Sequence, residues 1–226
     1  MSPHQRLALF GDIHSNLRAL DAVLAAIADA DITDAVCTGD IVLRGTEPEE
    51  CIHRVRDTGW PIVMGNTDQR VANKKLKHDT ELRGMRPGTR TWTRAVLADA
   101  DVAWLAGLPT MVEVALGPHR VVVIHGARTM PPGQVTGEAS DRDLLAMMDA
   151  LGADVLVVAH THAPMIRNVQ GRLVVNPGSV GEGREDDQRP TWALLTVDTN
   201  DRIHAAIEYV DSPLAPPRDP KHRKGQ

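Results

Sequence analysis

The sequence predicts a mixed α/β chain in which two packed sheets are flanked by helices. Strand-like and helix-like segments alternate over the first third, the second half is a succession of short apolar runs, and 42% hydrophobic residues in a chain of 226 supply a substantial core. LALF (7–10) is the first expected strand and ends at Gly11-Asp12. NLRALDAVLAAIADA then carries Leu17, Leu20, Val23, Leu24 and Ile27 at helical spacing behind a Ser15/Asn16 cap. TDAVCTGD repeats the strand and turn, and EPEECIHRVRDTG opens on Glu47, Pro48, Glu49 and Glu50, residues suited to a first helical turn. WPIVMGN is the third expected strand, and the alternation implies right-handed crossovers with parallel pairing. Residues 69–108 are expected to be helical around an irregular GMRPG, with TWTRAVLADADVAWLAGLP forming one or two helices. In the second half MVEVAL, RVVVIHG, DVLVVAH, RLVVN, TWALLTV and RIHAAIEYV read as strands, and SDRDLLAMMDALG as a helix between the second and third.

A length of 226 is long for one average domain and short for two, so one domain over residues 1–210 is expected. The last stretch, 211–226, has four prolines and little apolar content, which suits a flexible basic tail. A formal charge of −5 is too small to make the whole molecule a polyanion or a generic nucleic-acid binder. Cys37 and Cys51 are too few for a disulfide framework, and Cys37 falls inside an apolar strand, as a reduced thiol would. With no secretory leader pattern and no run long enough to cross a bilayer, a cytoplasmic protein without a membrane partner is expected.

The chemistry stands at the strand ends. Each apolar run hands over to polar residues: GDIHSN, then GD, then GN, then HG after VVVI and HTH after LVVA. Asp12, His14, Asp40, Asn66, His125, His160 and His162 are thereby all delivered to carboxyl ends of strands, the edge where open α/β sheets bind ligands. Capping explains Asp or Asn before a helix but gives no reason for three His to follow buried strands. D-x-H and H-x-H also let two side chains of one segment face one cavity. The remaining histidines, His4, His53, His78, His119, His204 and His222, stand outside this pattern, and a backbone carbonyl is the ordinary partner of each. Three oxygen donors and four imidazoles exceed what a closed structural zinc site uses, so two ions fit better, with a carboxylate, most naturally Asp40, between them.

GDIHSN, GDIVLRG, GNTD, VIHG and AHTH, in that order, resemble the five blocks of the calcineurin-like metallophosphoesterases, and NPGSVGEGREDDQRPTWALL resembles the NPGSVGQPR…YALL block of their small bacterial phosphodiesterase-type members. The resemblance runs from about Leu7 to Val197. It implies a four-layer αββα sandwich and two divalent ions, manganese foremost with iron or zinc as alternatives. One ion would be held by Asp12, His14, Asp40 and His162, the other by Asp40, Asn66, His125 and His160. Asn66 supplies its oxygen without adding negative charge toward the phosphate.

The same resemblance implies hydrolysis of phosphodiester or phosphomonoester bonds by a hydroxide formed between the ions, with Asp40, Asn66, His125, Arg44 and Arg128 as the catalytic set. Arg44 matches the arginine of the GDxxxRG block, Arg128 follows HGA, and both are expected, with Asn16, to contact substrate. Family members commonly carry His where this chain has Thr67, and that His helps protonate the leaving oxygen, a service worth about 10²–10⁴-fold. Its loss points to activated aryl or nucleotidyl esters, to another donor such as His78 or a lysine of the basic segment, or to weak catalysis; a Thr67→His change is expected to raise turnover of poor leaving groups. Asp68 is left to cap a helix or orient a ligand.

Between Arg70 and Arg94 eight Lys or Arg face two acids, and the place of this segment after the strand bearing Asn66 suits a lid over a nucleotide, a phosphorylated small molecule or a phosphoprotein. Trp92 and Trp104 stand at helical positions and aromatics are few, which argues against sequence-specific nucleic-acid recognition. A protein Ser/Thr phosphatase, a nuclease and a non-catalytic metal-loaded scaffold are the alternatives.

Overall fold

The computed structural model describes residues 5–76, 82–127, 135–183 and 187–211. Along the chain come β1 (Gln5–Phe10), α1 (Leu17–Asp29), β2 (Ala35–Cys37), α2 (Pro48–Asp57), α3 (Asn66–Ala72), α4 (Arg90–Val96), α5 (Asp99–Ala106), β3 (Met111–Leu116), β4 (His119–Ile124), α6 (Asp141–Leu151), β5 (Val155–Val157), β6 (Met165–Val169), β7 (Arg172–Asn176), β8 (Thr191–Val197) and β9 (Ile203–Tyr209). They form a four-stranded sheet in the order β2-β1-β8-β9 and a five-stranded sheet in the order β3-β4-β5-β7-β6. Both are mixed: β1 pairs parallel with β2 and antiparallel with β8, while β4, β5 and β7 run parallel between antiparallel edges.

Alternation along the strands builds the layers. Leu7 and Leu9 of β1 meet Val121 and Val123 of β4, Val155 and Val157 of β5, and Ala193 and Leu195 of β8 in a core between the sheets. The intervening Ala8 and Phe10 face outward onto Leu20, Val23 and Ile27 of α1 and Ile52 and Val55 of α2. On the far side Val122, Ile124, Leu156 and Val174 receive Leu144 and Met148 of α6. The order helix, sheet, sheet, helix is the expected αββα sandwich. Strands buried on both faces explain the nearly unbroken apolar runs of β4 and β5.

Two local expectations change. WPIV does not form a strand: Ile62 makes one isolated parallel bridge to Cys37, through Cys37 N–H to Pro61 O and Val63 N–H to Cys37 O. Pro61 has no N–H to extend the ladder. MIRNV, which carries no strong apolar signal, is strand β6; Gln170 and Gly171 turn it back into β7 with both φ angles positive, 52° and 88°. Helix α1 begins as expected at an Asn16 cap, whose Oδ1 accepts the Ala19 N–H at 3.2 Å. The basic segment after α3 is anchored by Val71, Leu97, Val102 and Leu105 in the helix-side core, while Arg70, Lys75, Arg83 and Arg90 are exposed. Trp104 also packs on that core, whereas Trp92 is only half-buried. Among the described residues no helix is long and apolar enough to cross a membrane. His4, His78, Arg128 and the segment 212–226 lie outside the described residues.

Candidate metal centre

Register brings the strand ends into step. Phe10 of β1 is level with Cys37 of β2, and Val123 of β4 with Val157 of β5, so the polar residues after each run emerge on one edge. The loops after β1 and β2 then run side by side: Asp12 N–H reaches Gly39 O at 2.8 Å, Ile13 and His14 both donate to Asp40 O, and Ser15 N–H bonds Ile41 O. From the opposite end of the chain, Val180 N–H bonds Gly11 O, Gly181 N–H bonds Asp12 O, and Ser179 Oγ donates to Asp12 O at 2.8 Å. Gly181 lies so close to the Ile13 carbonyl that no Cβ fits, which is why NPGSVG ends its turn on glycine.

This frame holds side chains in costly backbone shapes. Asp12, His14, Asp40, His160 and His162 all have φ between 50° and 69°, the left-handed region that most non-glycine residues avoid at about 1–2 kcal/mol each. Five of the seven candidates thus depend on the surrounding hydrogen bonds to stay in place. The outcome is two adjoining groups of donors, Asp12 with His14 and His162, and Asp40 with His125 and His160. His162 Nε2 lies 3.3 Å from Asp12 Oδ1 and 3.0 Å from His14 Nε2; His14 Nε2 lies 3.8 Å from Asp40 Oδ2. Asp40 Oδ1 is 3.3 Å from His125 Nε2, which is 3.1 Å from Asn66 Oδ1. Asp40 therefore faces both groups with different oxygens.

Several of the ligand candidates are oriented from behind. His125 Nδ1 bonds Thr38 O at 2.8 Å, which makes Nδ1 the donor and turns Nε2 toward the site. The Thr67 N–H sits on Asp40 Oδ1 at 2.7 Å and the His160 N–H on Asp12 Oδ2 at 3.0 Å. Asp68, fully buried, accepts N–H bonds from Gly65, Ile41 and Val42, and so ties the loop of Asp40 to the start of α3 where Asn66 stands.

The residues fit a pair of cations. Asp12 Oδ1 is buried with no hydrogen-bond donor of its own, and it looks onto imidazole nitrogens. Burial opposes ionisation of Asp12 and Asp40, yet His162 for the first and His125 for the second hold both below the usual carboxylate range. Burial would lower His125, but Asp40 pushes it up to about 10; burial, Arg44 and His162 bring His14 down to about 4. Burial and the neighbouring Asp40 raise Asp68 to about 7. Two enclosed carboxylates offset by shared imidazole protons form a site organised for positive charge.

A family model for the calcineurin-like phosphoesterase superfamily domain matches residues 6–200. The chain belongs to the calcineurin-like phosphoesterase superfamily. It is 29% identical over 205 residues to an uncharacterised protein of Methanocaldococcus jannaschii, spanning 84% of this chain and 82% of that one. Its fold is similar to that of a metallophosphoesterase from Sphaerobacter thermophilus, with a TM-score of 0.72, 26% identity and coverage of 93% of this chain and 89% of the other. A hypothetical protein from Pyrococcus horikoshii OT3 superposes with a TM-score of 0.75 at 22% identity, over 91% of this chain and 87% of the other.

Within this superfamily fold, the residues expected to touch substrate are distributed unevenly. Arg44 stands at the edge of the site with φ 73°, close enough to depress His14, and its guanidinium pairs with Glu182. Glu182 Oε2 is also 3.7 Å from His162 Nδ1. Glu182 stands outside the strand-end pattern, and its one signal in the sequence is an acid where the resembling block has Gln. Asn16 has its amide spent, Oδ1 on Ala19 N–H and Nδ2 on Gly181 O at 3.1 Å, so it serves the scaffold in this structure. Thr67 is buried and its Oγ1 donates to Val42 O at 2.9 Å, turned into the protein; the expectation that a His at 67 would serve the leaving group does not fit this placement.

Proposed function

We propose that the chain hydrolyses phosphate esters at two divalent cations, one held by Asp12, His14, Asp40 and His162 and the other by Asp40, Asn66, His125 and His160. The observation that carries this is the Asp12 and Asp40 pair, fully enclosed, faced by four imidazoles, with one carboxylate oxygen lacking any donor. Bound there, divalent cations would acidify a water into a nucleophile and draw charge from the phosphate oxygens, and a mixed oxygen and imidazole set suits manganese, with iron or zinc as alternatives.

The protein groups do the positioning. The Thr38 carbonyl keeps His125 Nε2 unprotonated when a cation is present, and the Thr67 and His160 amides fix which carboxylate oxygens face the site. Arg44 exchanges Glu182 for a substrate oxygen as its phosphate clamp. Gly88 packs on the Arg44 backbone and its carbonyl accepts the Arg44 N–H at 2.9 Å, so the basic segment adjoins the entrance. That supports nucleotide-type or otherwise polyanionic substrates, with a phosphoprotein or a nucleic-acid end as the larger alternatives.

The test is hydrolysis of bis-p-nitrophenyl phosphate and p-nitrophenyl phosphate with added Mn²⁺. Asp40→Asn is expected to lose more than the roughly 10–100-fold that removing an outer partner of a metal ligand costs. Preference for the diester would assign a phosphodiesterase. No metal-dependent turnover of either substrate would overturn hydrolysis and leave a metal-loaded scaffold, a reading that Thr67, offering no proton, favours.

A further inference from the structure

A pocket shares the His162 ring with the candidate metal centre and runs outward to Tyr209 at the end of β9. The hydroxyls of Ser179 and Thr191 in its wall are already engaged. Ser179 Oγ donates to Asp12 O and accepts the Glu182 N–H at 2.9 Å, and Thr191 Oγ1 accepts the Ser179 N–H at 2.9 Å. At the outer end the Arg189 guanidinium carbon lies 4.6 Å over the Tyr209 ring. Arg189 pairs with Asp187 at 2.7 Å and Asp211 at 3.4 Å, so it brings no spare positive charge for a second phosphate. Tyr209, the chain's one tyrosine, is nevertheless 46% exposed.

A guanidinium and phenol stack, an apolar Pro164 and the spent hydroxyls of Ser179 and Thr191 receive a neutral flat group better than a charged one. His162 Nε2 points at Asp12, so the pocket begins where a phosphate seated at the cations would end. We propose that this pocket binds the planar substituent of the substrate, an aromatic ring or a nucleobase carried as an ester on the phosphate. The inference rests on the phosphoesterase function proposed above.

The experiment is calorimetric titration of the Mn²⁺-loaded protein with methyl phosphate, phenyl phosphate and thymidine 5′-monophosphate, alongside bis-p-nitrophenyl phosphate turnover. A stacked ring gives about fivefold or more in affinity over methyl phosphate. Tighter binding of phenyl phosphate alone identifies an aryl site, and of the nucleotide alone or both a nucleoside-competent one. Tyr209→Ala brings that ratio to within about twofold of one, and Tyr209→Phe preserves it; thermal melts of both variants verify their folding. Equal affinities in the unaltered protein, or a ratio that survives Tyr209→Ala, overturn the pocket while turnover stands. Absence of both phosphate binding and turnover overturns the phosphoesterase function itself, and the pocket with it.

Discussion

Replacing Thr67 by His tests whether the structure has placed that side chain correctly. Thr67 is 1% exposed and its hydroxyl serves the Val42 carbonyl, in the loop that follows Asp40. A His at this position deprives that buried acceptor of its donor, which costs about 1–3 kcal/mol. The larger ring must also be fitted into a packed site, for a further cost of about 1–3 kcal/mol. For a domain of this size the melting temperature falls by about 5–20 °C. The backbone N–H of residue 67 still reaches Asp40, so cation binding persists. The assay compares Mn²⁺-dependent rates on p-nitrophenyl and alkyl phosphate esters. The relative rate on the alkyl ester does not improve, because the side chain at 67 leaves the backbone toward the protein interior and not toward the leaving oxygen. Thr67→Val, which exchanges the hydroxyl for a methyl group, lowers the melting temperature by about 2–10 °C and leaves the leaving-group dependence unaltered. An increase of tenfold or more for the alkyl ester, with no loss of thermal stability, would refute this placement.

Gly65→Ala sets a methyl group against the backbone amide and Oδ1 of Asp40, so Mn²⁺ affinity measured by calorimetry falls by at least about tenfold; an unchanged Kd would contradict the close approach. If divalent cations are held as proposed, chelation lowers the melting temperature by about 5–10 °C, and Mn²⁺ at a hundred times its Kd restores it, the linkage being worth about 2.7 kcal/mol per site. Burial pushes the thiols of Cys37 and Cys51 well above their ordinary range, so dithiobis(nitrobenzoate) finds neither in the native protein and both in guanidinium. A rapid reaction of either thiol in the native state would show that its strand or helix opens.

Six of the seven candidate ligands are legible because their chemistry is local, a polar residue standing at or just past the end of an apolar strand, whereas Asn66 follows a run that makes only an isolated bridge and stands instead at the start of α3. The sandwich was legible for a related reason, since β1, β4 and β5 are written as apolar runs. Glu182, Arg189 and Tyr209 were not, because their roles arise where β9 and the loop before β8 come beside His162, and no sequence period records that meeting. The direction of the Thr67 side chain is not legible in the GNTD turn, because it is fixed by Val42, twenty-five residues away. WPIV failed as a strand on Pro61, whose missing donor outweighed the apolar pattern.

The bonds from Ser179, Val180 and Gly181 to Gly11 and Asp12 join loops about 170 residues apart in sequence. A growing polypeptide leaving the ribosome therefore carries the GDIHSN loop without the partner that braces it until residues 179–181 emerge, and β1 lacks β8 until residue 197 has been made. Under the proposed function, fragments that stop before those residues carry the motif in a loop too loosely held to concentrate metal.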